Sequence, residues 1–202
     1  MASSQNTILN VPNLLTTARF LLAVVVFVLI PLEHYLAATI VFVIAAGTDW
    51  IDGWWARKYD QVTKLGRIFD PFVDKIIICG AFTFLAAEPG SGIHPWMAVV
   101  VMGREMLVTA IRGVIEQQGG DFSAKQMGKL KMVVQCVAVV ASLLALREYQ
   151  LMGSRGGDLP PWLYYTLRGS VWLAIGLTIY SGVEYIVVAA RILGRGNLGR
   201  GK

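Results

Sequence analysis

Six apolar runs, separated by shorter polar segments, extend along almost the whole chain. Their lengths approach the roughly 20 helical residues that cross about 30 Å of hydrocarbon. The runs lack the alternation of polar and apolar residues that a membrane barrel requires, and backbone groups in lipid must be hydrogen-bonded within their own segment. The pattern predicts a single all-α integral membrane domain over residues 1–202, with six transmembrane helices. We place these helices at about 14–30, 35–56, 71–87, 95–116, 129–147 and 162–190.

The composition supports this fold class, because 55% of the residues are hydrophobic and only 15% are charged. Of the 18 lysines and arginines, all except Arg147, Arg155 and Arg168 fall on one side of the predicted membrane. Because basic residues concentrate in cytoplasmic segments, both termini are predicted to be cytoplasmic, and residues 191–202 are predicted to form a basic, mobile tail. The net charge of +5 then matches anionic lipid headgroups and requires no nucleic acid as a partner.

An acidic segment interrupts the pattern between the second and third predicted helices. It contains Asp49, Asp52, Asp70 and Asp74, in a chain with only 13 acidic residues. The members of each pair are three or four residues apart, so each pair shares one side of a helix. The two pairs can converge across the short loop, where unpaired carboxylates would repel one another strongly. We therefore predict that divalent cations bind at this junction.

The available donor atoms indicate which metal would bind. His34 and His94 belong to the opposite membrane face, while Cys79 and Cys136 lie inside predicted helices away from the acids. Carboxylate oxygens remain, and they suit Mg²⁺ or Mn²⁺ better than zinc or copper. A pair of such ions would suit phosphoryl transfer, in which the metals contact the attacking and leaving oxygens.

Two other interpretations of the acidic segment are open. The aspartates could pair with nearby basic residues on a solvated loop, although Asp49 directly follows an apolar helix and Asp74 is followed at once by KIIICGAF. That placement favours a functional site over a loop. Acids in membrane helices also mark ion routes, so a divalent-cation transporter is an alternative class of function.

From Asp49 to Asp74 the residues spell D-x-x-D-G-x-x-A-R-x(8)-G-x-x-x-D-x-x-x-D. This pattern resembles the signature of the CDP-alcohol phosphotransferase family at every fixed position. Six helices, with the motif across the second and third, are also similar to that family. The resemblance implies that a CDP-linked lipid such as CDP-diacylglycerol donates its phosphatidyl group to an alcohol and releases CMP, with Mg²⁺ or Mn²⁺ as the cofactor.

The resemblance also implies roles for individual residues. The implied metal ligands are the four carboxylates, Asp49, Asp52, Asp70 and Asp74. Asp74 would in addition be the general base that takes the proton of the acceptor hydroxyl. The implied contacts of the cytidine nucleotide are Asn13, Thr16, Gly53, Arg57 and Thr63. Members of the family often form dimers, so the resemblance implies a homodimer.

Basic residues inside the later apolar runs predict where the acceptor alcohol binds. Arg104 and Arg112 are eight residues apart, two turns along one helical face, and Lys129 and Lys131 begin the fifth helix. A charge in a membrane helix is costly unless it faces a polar cavity, so these cations predict a site for an anion such as an acceptor phosphate. The alternative is snorkelling to the membrane surface, with Glu105 among the ion-pair partners.

The sequences around these cations, RE, LVTAIR and GKLK, are similar to bacterial members of the family whose acceptor is glycerol 3-phosphate. Met132 departs from their pattern, since relatives commonly have threonine after G-K-x-K, but the change removes no charge. The resemblance implies a protein of the bacterial inner membrane with its active site on the cytoplasmic side. Inositol phosphate, serine and phosphatidylglycerol are the alternative acceptors, and serine would not need the cations.

Overall fold

The computed structural model describes the backbone of residues 11–59, 64–117, 127–153 and 157–198. Within these ranges it describes the side chains of residues 14, 16–48, 72–73, 75–113, 130–153 and 157–190. The described backbone forms helices and no strand, which confirms the all-α class. The helices are α1 (Val11–Leu29), α2 (Tyr35–Tyr59), α3 (Lys64–Ala87), α4 (Pro95–Gln117), α5 (Met127–Met152) and α6 (Pro161–Leu198).

The helices extend beyond the apolar runs that predicted them, and the largest extensions at one end are at the start of α3 and at the end of α6. α3 begins at Lys64 and not at 71, so Asp70 lies inside the helix. α6 continues to Leu198, so residues 191–198 belong to the helix and not to the predicted tail. Apolar runs mark only the part of a helix that meets lipid or core, whereas polar residues free of proline can continue the same helix into water.

The centre of the bundle consists of large apolar side chains with almost no exposed surface. Among them are Phe42 on α2, Phe82 and Leu85 on α3, Met97 on α4 and Leu143 on α5. α1 packs against α2 and α3, while α6 packs against α4 and α5. The helices that carry the acidic motif, α2 and α3, and those that carry Arg104 and Lys131, α4 and α5, therefore belong to two adjoining halves of one bundle.

The outside of the bundle is also apolar. Leu21, Val99 and Trp172 are 59%, 69% and 55% exposed. Two stretches, Leu130–Met152 and Pro161–Ala190, are long and apolar enough to cross a membrane. Shorter apolar helical stretches are Thr16–Leu29, Tyr35–Thr48 and Lys75–Ala87. Large exposed apolar surfaces of this kind mark contact with a membrane or with other proteins.

Gly80 marks a close approach between α1 and α3. A Cβ at this position would lie 2.1 Å from Cζ of Phe27, whose ring stacks on Phe84 with the ring centroids 5.2 Å apart. Gly80→Ala is expected to lower the free energy of unfolding by about 1–3 kcal/mol, the usual cost of an added methyl group in a packed core. Thermal denaturation in detergent would measure this loss.

Gly169→Ala is the matched control, since a Cβ at Gly169 would have nothing within 4 Å. The control variant is expected to keep its Tm or to raise it slightly, because alanine favours helix more than glycine does. Equal Tm values for the two variants would contradict the proposed role of Gly80 in packing.

Candidate active site

The acidic ends of α2 and α3 lie at the same end of the bundle. Asp49 and Asp52 belong to the later part of α2, and Asp70 and Asp74 to the first half of α3. The chain between Tyr59 and Lys64 can span at most about 18 Å, which keeps these two helix ends close. All four acids are therefore on helical backbone beside one short connection.

The contacts of several predicted site residues fall outside the described part of the chain. The structure does not describe the side chains of the four aspartates or those of Asn13, Arg57 and Lys129. The surroundings of Gly53 are likewise outside the described part. Thr63 lies outside the described backbone. Their roles in binding metal, nucleotide or acceptor stay predictions.

The donor atoms near the acidic ends fit a hard divalent cation. His34 and His94 precede α2 and α4, at the end of the bundle away from the aspartates, and Cys79 is buried within α3. Among the described side chains, no group of three or more histidines, cysteines or acids could hold a metal ion. Carboxylate oxygens of the aspartates remain the candidate ligands, and they suit Mg²⁺ or Mn²⁺.

α1 presents a buried polar face to the helices that carry the acids. Thr16 and Arg19 are 5% and 2% exposed, three residues apart on one side of α1. Because α1 packs against α2 and α3, these buried groups lie against the acidic half of the bundle. Sequence reasoning missed Arg19 as a site candidate, although a charge within an apolar run is the same signal that identified Arg104.

Arg104, Glu105 and Lys131 form a buried ion-pair cluster between α4 and α5. Oε1 of Glu105 accepts hydrogen bonds from Nη1 of Arg104 at 3.1 Å and from Nζ of Lys131. The three side chains are only 9%, 14% and 5% exposed, in that order. Such burial disagrees with the snorkelling alternative, in which the charged groups would lie in water at the membrane surface.

Arg104 is also held from α6. Its Nε donates to Oγ of Ser181 at 3.1 Å, and its guanidinium carbon lies 5.3 Å from the centre of the Tyr185 ring. Between α5 and α6, one turn earlier on α6, Nε2 of Gln135 donates to Oγ1 of Thr178 at 3.0 Å. Hydrogen bonds and a cation–π contact together fix the guanidinium in one position.

Lys75, which follows Asp74 in α3, connects the acidic motif to this cluster. Its Nζ donates to Oγ1 of Thr109, and that hydroxyl donates to the backbone oxygen of Glu105 at 2.6 Å. The cation cluster of α4 therefore lies beside the helix turn that carries Asp74. Sequence reasoning did not identify this contact of Lys75.

Arg112 lies seven residues after Glu105, two turns along nearly the same face of α4. Its Nε is buried and has no hydrogen-bond partner among the described residues. The structure thus brings Arg104 and Lys131 together at Glu105 and places Arg112 nearer the end of α4. A buried guanidinium nitrogen without a partner is costly, so an anion at this position would be stabilising.

A cavity of about 290 Å³ lies at the opposite end of the bundle. Its lining includes Gly90, His94, Tyr149 and Arg168, and the Arg168 guanidinium lies 5.5 Å from the centre of the Tyr164 ring. The aspartates are at the other ends of α2 and α3, so this cavity is separate from the candidate active site.

Comparison with known protein sequences identifies the family of this chain. A sequence model of the CDP-alcohol phosphatidyltransferase family matches residues 9–180, and the chain belongs to this family. The resemblance seen in the acidic motif is thereby confirmed. The family is membrane-associated and generally depends on divalent metal.

Relatives from several bacteria are named CDP-diacylglycerol–glycerol-3-phosphate 3-phosphatidyltransferase. The protein of Bacillus subtilis (strain 168) is 33% identical over 193 residues, covering 87% of this chain and 93% of the relative. That of Pseudomonas fluorescens is 32% identical over 189 residues, covering 90% of each. The Escherichia coli (strain K12) protein is 30% identical over 189 residues, covering 89% of this chain and 94% of the relative.

Proposed function

We propose that this protein transfers the phosphatidyl group of CDP-diacylglycerol to the hydroxyl of glycerol 3-phosphate, which yields phosphatidylglycerol phosphate and CMP. Family membership and the names of the relatives support this transferase activity. The structural observation that carries the choice of acceptor is the buried cation cluster at Glu105, joined through Thr109 and Lys75 to the turn after Asp74. A phosphorylated alcohol fits such a cluster, whereas serine does not need one.

In the proposed reaction, the acceptor hydroxyl oxygen forms a bond to the phosphatidyl phosphorus. The bond from that phosphorus to the oxygen of CMP breaks, and CMP leaves with the bonding electron pair. Asp74 takes the proton of the hydroxyl as the general base. Arg104, Arg112, Lys129 and Lys131 would hold the acceptor phosphate and so bring the hydroxyl to the reacting phosphorus.

The donor side of the site would be assembled from the first three helices. The carboxylates proposed to hold Mg²⁺ or Mn²⁺, as two ions, are Asp49, Asp52, Asp70 and Asp74. These ions, when bound, would neutralise charge on the diphosphate. Arg57 suits the CMP phosphate because a guanidinium donates two parallel hydrogen bonds. The remaining proposed nucleotide contacts are Asn13, Thr16, Gly53 and Thr63.

We also propose the placement of the protein in the membrane. All six helices would cross the bacterial inner membrane, with both termini and the acidic ends of α2 and α3 on the cytoplasmic side. The distribution of lysine and arginine supports this orientation. Glycerol 3-phosphate is soluble and charged, so a site that opens to the cytoplasm would give it access. The assembly proposed from the family resemblance is a homodimer.

The experiment that tests this function compares acceptors. Purified protein in detergent or vesicles is given CDP-diacylglycerol, Mg²⁺ or Mn²⁺, and one acceptor at a time, and CMP release is measured. We expect release with glycerol 3-phosphate and little with inositol phosphate, serine or phosphatidylglycerol. Release with inositol phosphate alone would overturn the acceptor. Metal flux into vesicles without lipid donor, and without CMP release, would instead support a transporter.

A further inference from the structure

The described side chains of α4 and of the first ten described residues of α5 (130–139) include three cations, Arg104, Arg112 and Lys131, and one carboxylate, that of Glu105. Arg104 and Lys131 share the single carboxylate of Glu105, and the buried Nε of Arg112 has no hydrogen-bond partner in the described part of the chain. Cations so poorly exposed to water require a nearby anion, because their desolvation is otherwise uncompensated. The one carboxylate of Glu105 carries less negative charge than the positive charge of these three cations.

The ion pair also crosses a gap between helices. Within the described ranges, the Cα atoms of α4 and α5 nowhere approach within 8 Å of each other, although both helices pack against α6. The Glu105–Lys131 contact therefore joins the two helices through long side chains and not through close backbone packing. A ligand that enters from the acidic end and reaches these cations must compete with the carboxylate of Glu105.

We propose that Glu105 is the resident counter-ion of the acceptor site and that the acceptor phosphate replaces its carboxylate on Arg104 and Lys131. This inference rests on the proposed function. A phosphate monoester carries about −1.5 to −2 charges at neutral pH and three strong acceptor oxygens, whereas Glu105 offers one charge and two oxygens. The exchange thus gives the two cations a stronger partner. Until it occurs, Glu105 is a positioning residue that keeps both cations in place.

Glu105→Gln tests this exchange, because glutamine keeps the shape of the side chain and removes its charge. With the internal competitor gone, the KM for glycerol 3-phosphate and the inhibition constant of inorganic phosphate are both expected to fall by roughly tenfold, the effect of one charge-assisted hydrogen bond. The kcat is not expected to rise. Arg112→Ala is the comparison variant with the opposite expected effect, because loss of a cation should raise both the KM and the inhibition constant.

If Glu105 has a purely structural role, the KM for glycerol 3-phosphate and the inhibition constant of phosphate should be unchanged or raised in Glu105→Gln, and not lowered. Either result would overturn the proposal. CMP binding, which depends on the other half of the bundle, reports whether the variant is folded. If Glu105→Gln does not fold, Glu105→Asp decides, because its shorter charged side chain should lower the inhibition constant several-fold through a weaker hold on the cations.

The measurement on wild-type protein separates failure of the proposed function from failure of the proposed exchange at Glu105. If wild-type protein releases no CMP with glycerol 3-phosphate, the proposed function fails. If it does release CMP and the Glu105 variants bind phosphate no more tightly than wild type, only the exchange at Glu105 fails.

Discussion

Asp74→Asn is expected to lower kcat by roughly 10²–10⁴-fold, the usual contribution of a positioned general base. The asparagine amide is nearly the same size as the carboxylate but cannot accept the proton of the acceptor hydroxyl. It retains one oxygen that can still contact a metal ion, so CMP is expected to bind. CMP release in the presence of CDP-diacylglycerol and glycerol 3-phosphate measures the rate, and calorimetric titration with CMP and Mg²⁺ measures the binding.

Asp158→Asn is the matched control for this substitution. Asp158 is an exposed acid just before α6, at the end of the bundle opposite the acidic ends of α2 and α3. Its loss of charge is expected to leave both rate and binding unchanged. A normal rate in Asp74→Asn would refute the assignment of Asp74 as the base, and loss of both rate and CMP binding would assign Asp74 to metal binding alone.

The pattern of apolar residues predicted the helices because lipid and a protein core both favour apolar side chains on a helix. Both require apolar side chains over a length of several turns, and the sequence displays that length directly. The start of α3 at Lys64 and the end of α6 at Leu198 could not be predicted in this way. Polar residues continue these helices, and helix continuation through polar residues leaves no periodic apolar signal.

The acidic motif and the cations were recognisable for a different reason. A charge inside an apolar run is costly, so its presence alone indicates a partner or a ligand. That argument identified Arg104 and Lys131, and it predicted Glu105 only as a partner at the surface. In the structure, Ser181 and Tyr185 of α6, from a distant part of the chain, contact the Arg104 guanidinium that pairs with Glu105. Such long-range contacts have no signature in local spacing.

The contact from Lys75 to Thr109 links the part of α3 that carries Asp74 to α4. Asp74 and Lys75 are neighbours in sequence, but on a helix they point in different directions, about 100° apart. Lys75 reaches α4, where Thr109 relays its hydrogen bond to the backbone of Glu105. On one turn of α3, Asp74 can therefore belong to the proposed acidic site while Lys75 contacts the half of the bundle that contains Arg104 and Lys131.

Removal of divalent metal is expected to abolish turnover, with a fall of more than about a hundredfold, because a bound ion contributes several kcal/mol to charge stabilisation in such reactions. Protein dialysed against chelator should release no CMP above background, and Mg²⁺ or Mn²⁺ should restore the rate. We attribute this requirement to the four aspartates proposed as metal ligands, because clustered carboxylates repel one another unless cations bind among them.

Stability provides a second measurement that does not depend on activity. Added Mg²⁺ is expected to raise the Tm of wild-type protein, since a ligand that binds only the folded state stabilises it. Asp49→Asn and Asp70→Asn should each weaken this rise, while Asp158→Asn should keep it. Without metal, the same two variants should be as stable as wild type or more stable, because each removes one of four repelling charges. Full activity after chelation, or an equal Mg²⁺-dependent rise in all three variants, would place the metal elsewhere or exclude it from the reaction.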